Sequence, residues 1–161
     1  MIEKYRAAMT LDMPSDREIV LTRVFDAPRD LVFKACTDPK PNTEMVGAKI
    51  LTTTIDEMDV RPGGVWRYIQ RGPDGSEYAF NGVYREIVPP ERLVYTFEFE
   101  GMPGHVLLQT VTLEEHDGKT KLTATALFET VEDRDGMLNS GMEAGAAESY
   151  DRLEELLETM A

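Results

Sequence analysis

The chain has 161 residues, which suits one domain with a core of its own. Its 30 acidic and 17 basic residues leave a net charge of −13, a balance that repels nucleic-acid phosphates and anionic lipid, so no nucleic-acid or membrane partner is expected. The single cysteine, Cys36, excludes an internal disulfide framework and a cysteine-built metal site, and the absence of any apolar run of about 18 residues or of a signal-peptide pattern leads to the expectation of a cytoplasmic protein.

Residues 1–16 read as an N-terminal lead-in, and 17–161 as a single domain. Arg17 to Phe25 is rich in β-branched and apolar types and predicts the first strand. Pro28 suits the first turn of a helix, and Asp30 sits where a carboxylate complements the helix dipole. Leu31, Val32, Ala35 and Cys36 give that helix a short apolar face. Asp38-Pro39-Lys40-Pro41 ends it. In this apolar pattern Cys36 reads as a buried, inert thiol. Asn42 to Ile50 fits either a loop or a short helix.

From Leu51 the pattern changes to strands. Leu51 to Val60 and Val65 to Arg71 are separated by Gly63-Gly64. Gly72-Pro73-Asp74-Gly75 is a turn signal. Tyr78 to Val88 and Leu93 to Glu100 form a hairpin around Pro89-Pro90-Glu91-Arg92. His105 to Glu115 and Lys119 to Glu129 meet at Asp117-Gly118, a pair suited to a tight hairpin turn. Short connections make neighbouring strands antiparallel. Alternation gives each strand one apolar face: Leu93, Tyr95, Phe97 and Phe99 on one, Trp66 and Tyr68 on another, Leu122, Ala124, Ala126 and Phe128 on a third.

Val131 to Met160 reads as one long amphipathic helix. Leu138, Met142, Ala146, Leu153, Leu157 and Met160 recur at three- and four-residue steps, with carboxylates between them. Such a stripe must be buried, and the apolar face of the sheet is the surface available. Gly141 and Gly145 each cost about 1 kcal/mol against Ala inside a helix. They imply either close backbone packing on the sheet or a gap in which a ligand lies. The fold class is therefore α+β, an antiparallel sheet of about six or seven strands with a long C-terminal helix on its apolar face.

Several stretches resemble the bacterial AHSA1-like proteins of the START/Bet v 1-like (SRPBCC) superfamily. They are Arg23-Val24-Phe25-Asp26-Ala27-Pro28, Thr37-Asp38-Pro39, Asp59-Val60-Arg61-Pro62-Gly63-Gly64-Val65-Trp66-Arg67, Gly82-Val83-Tyr84 and Glu86-Ile87-Val88-Pro89-Pro90-Glu91-Arg92-Leu93-Val94. Gly118-Lys119-Thr120-Lys121-Leu122-Thr123, Gly141-Met142-Glu143-Ala144-Gly145 and Asp151-Arg152-Leu153 continue the series in order. The resemblance implies a helix-grip fold, a curved antiparallel sheet around a C-terminal helix, often with a cavity between them. It also implies, by analogy with the Hsp90 activator, a second role as an interaction module whose partner is a chaperone. A third role, an enzyme of cyclase or hydrolase type, occurs elsewhere in the superfamily. Many relatives carry tryptophans where this chain has Glu44-Met45-Val46-Gly47 and Ala146, and the smaller side chains here imply a roomier chamber.

No catalytic set is legible. His105 and His116 lack the carboxylate spacing of a metal site and read as surface residues. Asp56, Glu57 and Asp59 read as a solvated or edge-strand cluster. Arg23, Arg67, Arg71, Glu86 and Gln109 are candidates for inward-pointing polar groups, with parity uncertain wherever a bulge intervenes. No phosphate loop, nucleophile elbow or triad order occurs, and no cofactor or metal is expected. The leading expectation is a non-enzymatic protein, monomer or homodimer, that binds a small hydrophobic molecule between sheet and helix. Its expected lining is Met45, Trp66, Tyr68, Tyr95, Phe97, Val111, Leu138, Met142, Gly145, Ala146 and Ser149.

Overall fold

A computed structural model describes residues 9–38 and 52–160. Its strands are β1 (Thr10–Asp12), β2 (Glu18–Phe25), β3 (Thr52–Met58), β4 (Val65–Arg71), β5 (Glu77–Val88), β6 (Arg92–Phe99), β7 (Val106–His116) and β8 (Lys119–Leu127). The helices are α1 (Arg29–Thr37), α2 (Val131–Asn139) and α3 (Met142–Met160). The strands form one antiparallel sheet in the order β1-β2-β8-β7-β6-β5-β4-β3. The chain thus enters at one edge, crosses to the far edge after α1, and returns strand by strand until β8 closes beside β2.

The tight turns follow from local chemistry. Asp117 and Gly118 both take positive φ, 54° and 77°, joining His116 to its partner Lys119 across two residues. That conformation matches the twist of the flanking strands, which is why Asp-Gly is favoured there. The sheet has one strand more than the upper expectation. β1 lies inside the stretch read as a lead-in, where Leu11 pairs with Leu21. Three residues carry too little alternation to be read as a strand.

Alternation places Ile19, Leu21, Arg23 and Phe25 of β2 on the inner face, all buried. Leu122, Ala124 and Ala126 of β8, with Leu107, Val111 and Leu113 of β7, continue the same core. Val32 and Ala35 of α1 are fully buried in it. The expected single terminal helix is two. Ser140 ends α2 by donating its N–H to the Met137 carbonyl at 3.1 Å, and Gly141 takes φ +84°, a left-handed conformation that stops a helix. Thr130 caps the start of α2, its hydroxyl accepting the Asp133 N–H at 3.1 Å. No residue of α2 is buried, whereas α3 buries Leu153 and Leu157 completely. Those two lie in the second half of α3, and α3 packs on α1.

A charged contact joins α3 to the sheet. The Arg23 guanidinium is wholly buried, lies 5.1 Å above the Phe25 ring, and donates from Nη1 to Asp151 Oδ1 at 2.8 Å. Its Nε and Nη2 have no partner among the described residues. On the outer face Arg67 forms a two-pronged pair with Glu100, 2.7 and 2.9 Å, and reaches Asp56 at 3.1 Å. Asn81 donates to the same Glu100 at 3.0 Å, so side chains of β3, β4 and β5 are tied to the turn that follows β6. The Arg67 guanidinium and the Asn81 amide hold the Glu100 carboxyl at about 2, well below its ordinary value.

Three outcomes check this architecture by denaturant and thermal unfolding. Gly141→Ala forces a side chain into φ +84° and should destabilise by about 1 kcal/mol, while Gly145→Ala, inside α3 with open space around it, should stabilise by about 0.5–1 kcal/mol; equal signs would contradict the helix break. Asp151→Ala leaves Arg23 buried without its counter-charge and should cost about 3 kcal/mol, whereas Arg23→Met exchanges it for apolar volume, leaves Asp151 partly solvated, and should stay within about 1 kcal/mol of the parent; the reverse order would refute the account. Because the Glu100 carboxyl is depressed, its contribution is present above the ordinary value of 4.5 and is lost as pH falls through about 2, so Glu100→Gln should flatten the acid limb of the stability profile in that window.

Candidate functional site

The inner face is filled differently at its two ends. Near β2 and β8 the side chains are medium-sized aliphatics closed over by α1 and α3. Toward β4, β5 and β6 they are large rings. Trp66 stacks on Tyr68 at 5.3 Å between centroids, meets Tyr95 edge-on at 5.9 Å, and lies 5.7 Å from Phe97. Phe80 joins Tyr68 and Phe97 at 5.2 and 5.4 Å. Gly82 makes this arrangement possible. A Cβ there would stand 2.5 Å from Trp66 Nε1 and would strike the Thr96 carbonyl oxygen, so only glycine lets the indole lie against β5.

Rings this large leave a cavity of about 150 Å³ beside them. Trp66 and Tyr68 of β4, Tyr84 of β5, and Leu93, Tyr95 and Phe97 of β6 form its sheet side, with Val111 of β7 at the back. Cys36 of α1 faces it, and Ile55, Glu57, Met58 and Arg67 close the β3 side. Glu57 is exposed, which marks that side as the one nearest solvent. A β-bulge at Asp56 explains why Glu57 arrives there. The register shifts between Ile55 and Glu57, sending Asp56 outward to Arg67. The three carboxylates read as one cluster therefore have separate places, with Asp59 paired to Arg61 at 2.7 Å.

Away from Glu57 and Arg67 at its β3 side, the polar groups around the cavity are neutral. Burial pushes the Cys36 thiol up to about 12, and burial, with the nearby Cys36 sulfur, pushes the Tyr84 phenol up to about 12. Burial also raises Tyr68, and burial followed by the charges of Cys36 and other phenols raises Tyr95 well above the ordinary range. Tyr150 of α3 is raised by the same causes and meets Phe25 edge-on at 5.8 Å. These groups stay protonated at neutral pH.

Among the residues singled out from the sequence, Trp66, Tyr68, Tyr95, Phe97 and Val111 come together around the cavity. Leu138, Met142 and Ala146 instead pack against the aliphatic core. Gly145 and Ser149 are half-buried on α3 and do not form the described walls, although an added Cβ at Gly145 would touch nothing among the described residues. No described residue of the sheet packs closely on that glycine. Met45 and the stretch Asn42 to Ile50 lie outside the described residues. The cavity is thus walled by the sheet and α1, where sheet and terminal helix had been expected. Of the inward-pointing candidates, Arg23 is buried, whereas Arg67 and Arg71 are engaged by outer or edge carboxylates. His105 is a surface residue that meets Asp133 of α2 at 2.8 Å. Tyr84 was missed, though its parity with Gly82 and Phe80 was a usable signal.

The fold and its relatives agree. No curated protein matches the chain in sequence. The solved structure of Ms6760 from Mycobacterium smegmatis is 25% identical, superposes with a TM-score of 0.84, and pairs 92% of this chain with 96% of its own. A protein from Arthrobacter aurescens is 25% identical with a TM-score of 0.86 over 93% and 91% of the two chains. CV1439 from Chromobacterium violaceum is 27% identical with a TM-score of 0.76 over 86% and 96%. Among the described residues no helix is long and apolar enough to cross a membrane. The family model for "Activator of Hsp90 ATPase homolog 1-like protein" matches residues 26–158, from the turn before α1 through nearly all of α3, and the chain belongs to that AHSA1-like family.

Proposed function

We propose that the chain is a non-enzymatic binding protein for a compact hydrophobic molecule held in the aromatic-walled cavity. The observation that carries this reading is the unfilled volume of about 150 Å³ against Trp66, Tyr95 and Phe97. Close-packed interiors rarely leave voids larger than a water molecule. A void of this size lined mainly by apolar groups suits a ligand about as large as one ring. It is smaller than the roughly 300–1,000 Å³ pockets of drug-sized ligands, which argues against a long lipid within the described walls.

Binding without chemistry fits the polar groups present. A thiol pushed up to about 12 is a poor nucleophile at neutral pH, and phenols held neutral are poor bases. Glu57, the carboxylate beside the cavity, is exposed and solvated. General acid–base work favours a cleft group with a pKa tuned toward neutrality.

Trp66 is the only tryptophan, so its fluorescence reports on the cavity alone. Titration with cyclohexane should give a saturable change. Val111→Phe, which fills the back of the cavity, should weaken that uptake at least about tenfold while unfolding remains cooperative. Cys36→Met, filling from α1, provides the same check should Val111→Phe fold poorly. Uptake unchanged in a folded, filled variant would contradict the site.

A further inference from the structure

The cavity has a second property besides being apolar: three phenol hydroxyls, each able to donate a hydrogen bond, belong to its walls. Tyr68, Tyr84 and Tyr95 bring three phenol hydroxyls from three adjacent strands. The Trp66 indole N–H, which has no partner among the described residues, is sealed against β5 at Gly82, so its ring is a wall of the cavity and not a donor to it. The rings carrying these groups adjoin one another, Trp66 meeting Tyr68 and Tyr95 at 5.3 and 5.9 Å and Tyr84 meeting Tyr95 at 6.1 Å. No hydrogen bond among the described residues engages the three hydroxyls. Hydroxyls that line a void are met by whatever occupies it, so three of them from adjacent strands point to the chemistry of the occupant.

We infer that the cavity selects neutral molecules bearing a hydrogen-bond-accepting oxygen, of the ketone or ester class, over pure hydrocarbons, carboxylates and cations. This rests on the reading of the cavity as a binding site. A hydrocarbon would fill the volume but leave the donors unmet. A carboxylate would accept from them yet find no available counter-charge. Arg67, the one guanidinium at the cavity among the described residues, is committed on both prongs to Glu100 and again to Asp56. Glu57 and a net charge of −13 would repel an anion further. A quaternary cation would gain from the aromatic faces, but it accepts no hydrogen bond and would leave the phenol hydroxyls without an acceptor. A carbonyl oxygen meets the donors without bringing charge into a desolvated space. Burial keeps the phenols in their protonated, donating form.

The test uses three probes of similar size and the intact chain, read by Trp66 fluorescence. Cyclohexanone carries the acceptor, methylenecyclohexane replaces its C=O by C=CH₂, and tetramethylammonium is the cation. Tyr95→Phe and Tyr68→Phe each remove one donor and little volume, and thermal unfolding verifies that both fold. The expected result is that at least one of them weakens cyclohexanone by about tenfold, the loss of one hydrogen bond, and leaves methylenecyclohexane unchanged or tighter. Equal effects on both neutral probes, or none on either, would overturn the inference and leave a plain apolar cavity. Tighter binding of tetramethylammonium than of cyclohexanone, abolished by Glu57→Gln, would overturn it in favour of a cation cage. Failure of both neutral probes to bind the parent chain would overturn the binding-site reading itself, and the inference with it.

Discussion

A mismatch of span between one helix and one sheet governs this structure. Eight strands at about 4.8 Å spacing are about 34 Å wide. The 19 residues of α3 are about 28 Å long, and its fully buried side chains, Leu153 and Leu157, lie in its second half. α3 therefore seals the aliphatic end of the inner face together with α1 and does not fill the aromatic end. There, indole and phenol rings on neighbouring strands pack edge-to-face and offset against one another, geometries that leave space beside them. Cavity and core are thus two consequences of one arrangement, and Leu93 and Val111 belong to both.

Charge is distributed in keeping with this division. The excess of acidic residues lies largely in exposed positions, and the outer face is tied by Arg67, Glu100, Asp56 and Asn81. Among the described residues one charged side chain is fully buried, that of Arg23, and it is placed against Asp151 rather than in the cavity. A buried ion of this kind is weak evidence for stability, and its one hydrogen-bonded carboxylate, Asp151, ties α3 to β2. Around the cavity the aromatic walls carry phenol hydroxyls, and the charged Glu57 and Arg67 stand only at its β3 side among the described residues.

Much of the fold was legible in the residues. Alternation in Leu93, Tyr95, Phe97 and Phe99, and the Asp117-Gly118 pair, placed strands and a turn because side-chain period and backbone conformation are local properties. The helix break was not legible. The apolar stripe runs in phase from Leu138 through Met142 to Met160, so periodicity alone reads one helix; the sign of φ at Gly141 appears only in three dimensions. The cavity divides in the same way. Trp66, Tyr68, Tyr95, Phe97 and Val111 followed from strand parity. Cys36 reached the cavity through the docking of α1, and Glu57 through the bulge at Asp56, neither of which leaves a pattern in sequence. Leu138, Met142 and Ala146 were assigned to the cavity because one straight helix would have carried them across it; with the chain broken at Gly141 they meet the core instead.

The central claim is that a fillable space exists beside Trp66, and xenon tests it most directly because it binds voids of this size without any polar contact. Crystals pressurised with xenon should show an atom bounded by Trp66, Tyr95 and Val111. A structure in which xenon is absent there, with those side chains closed on one another, would contradict the account.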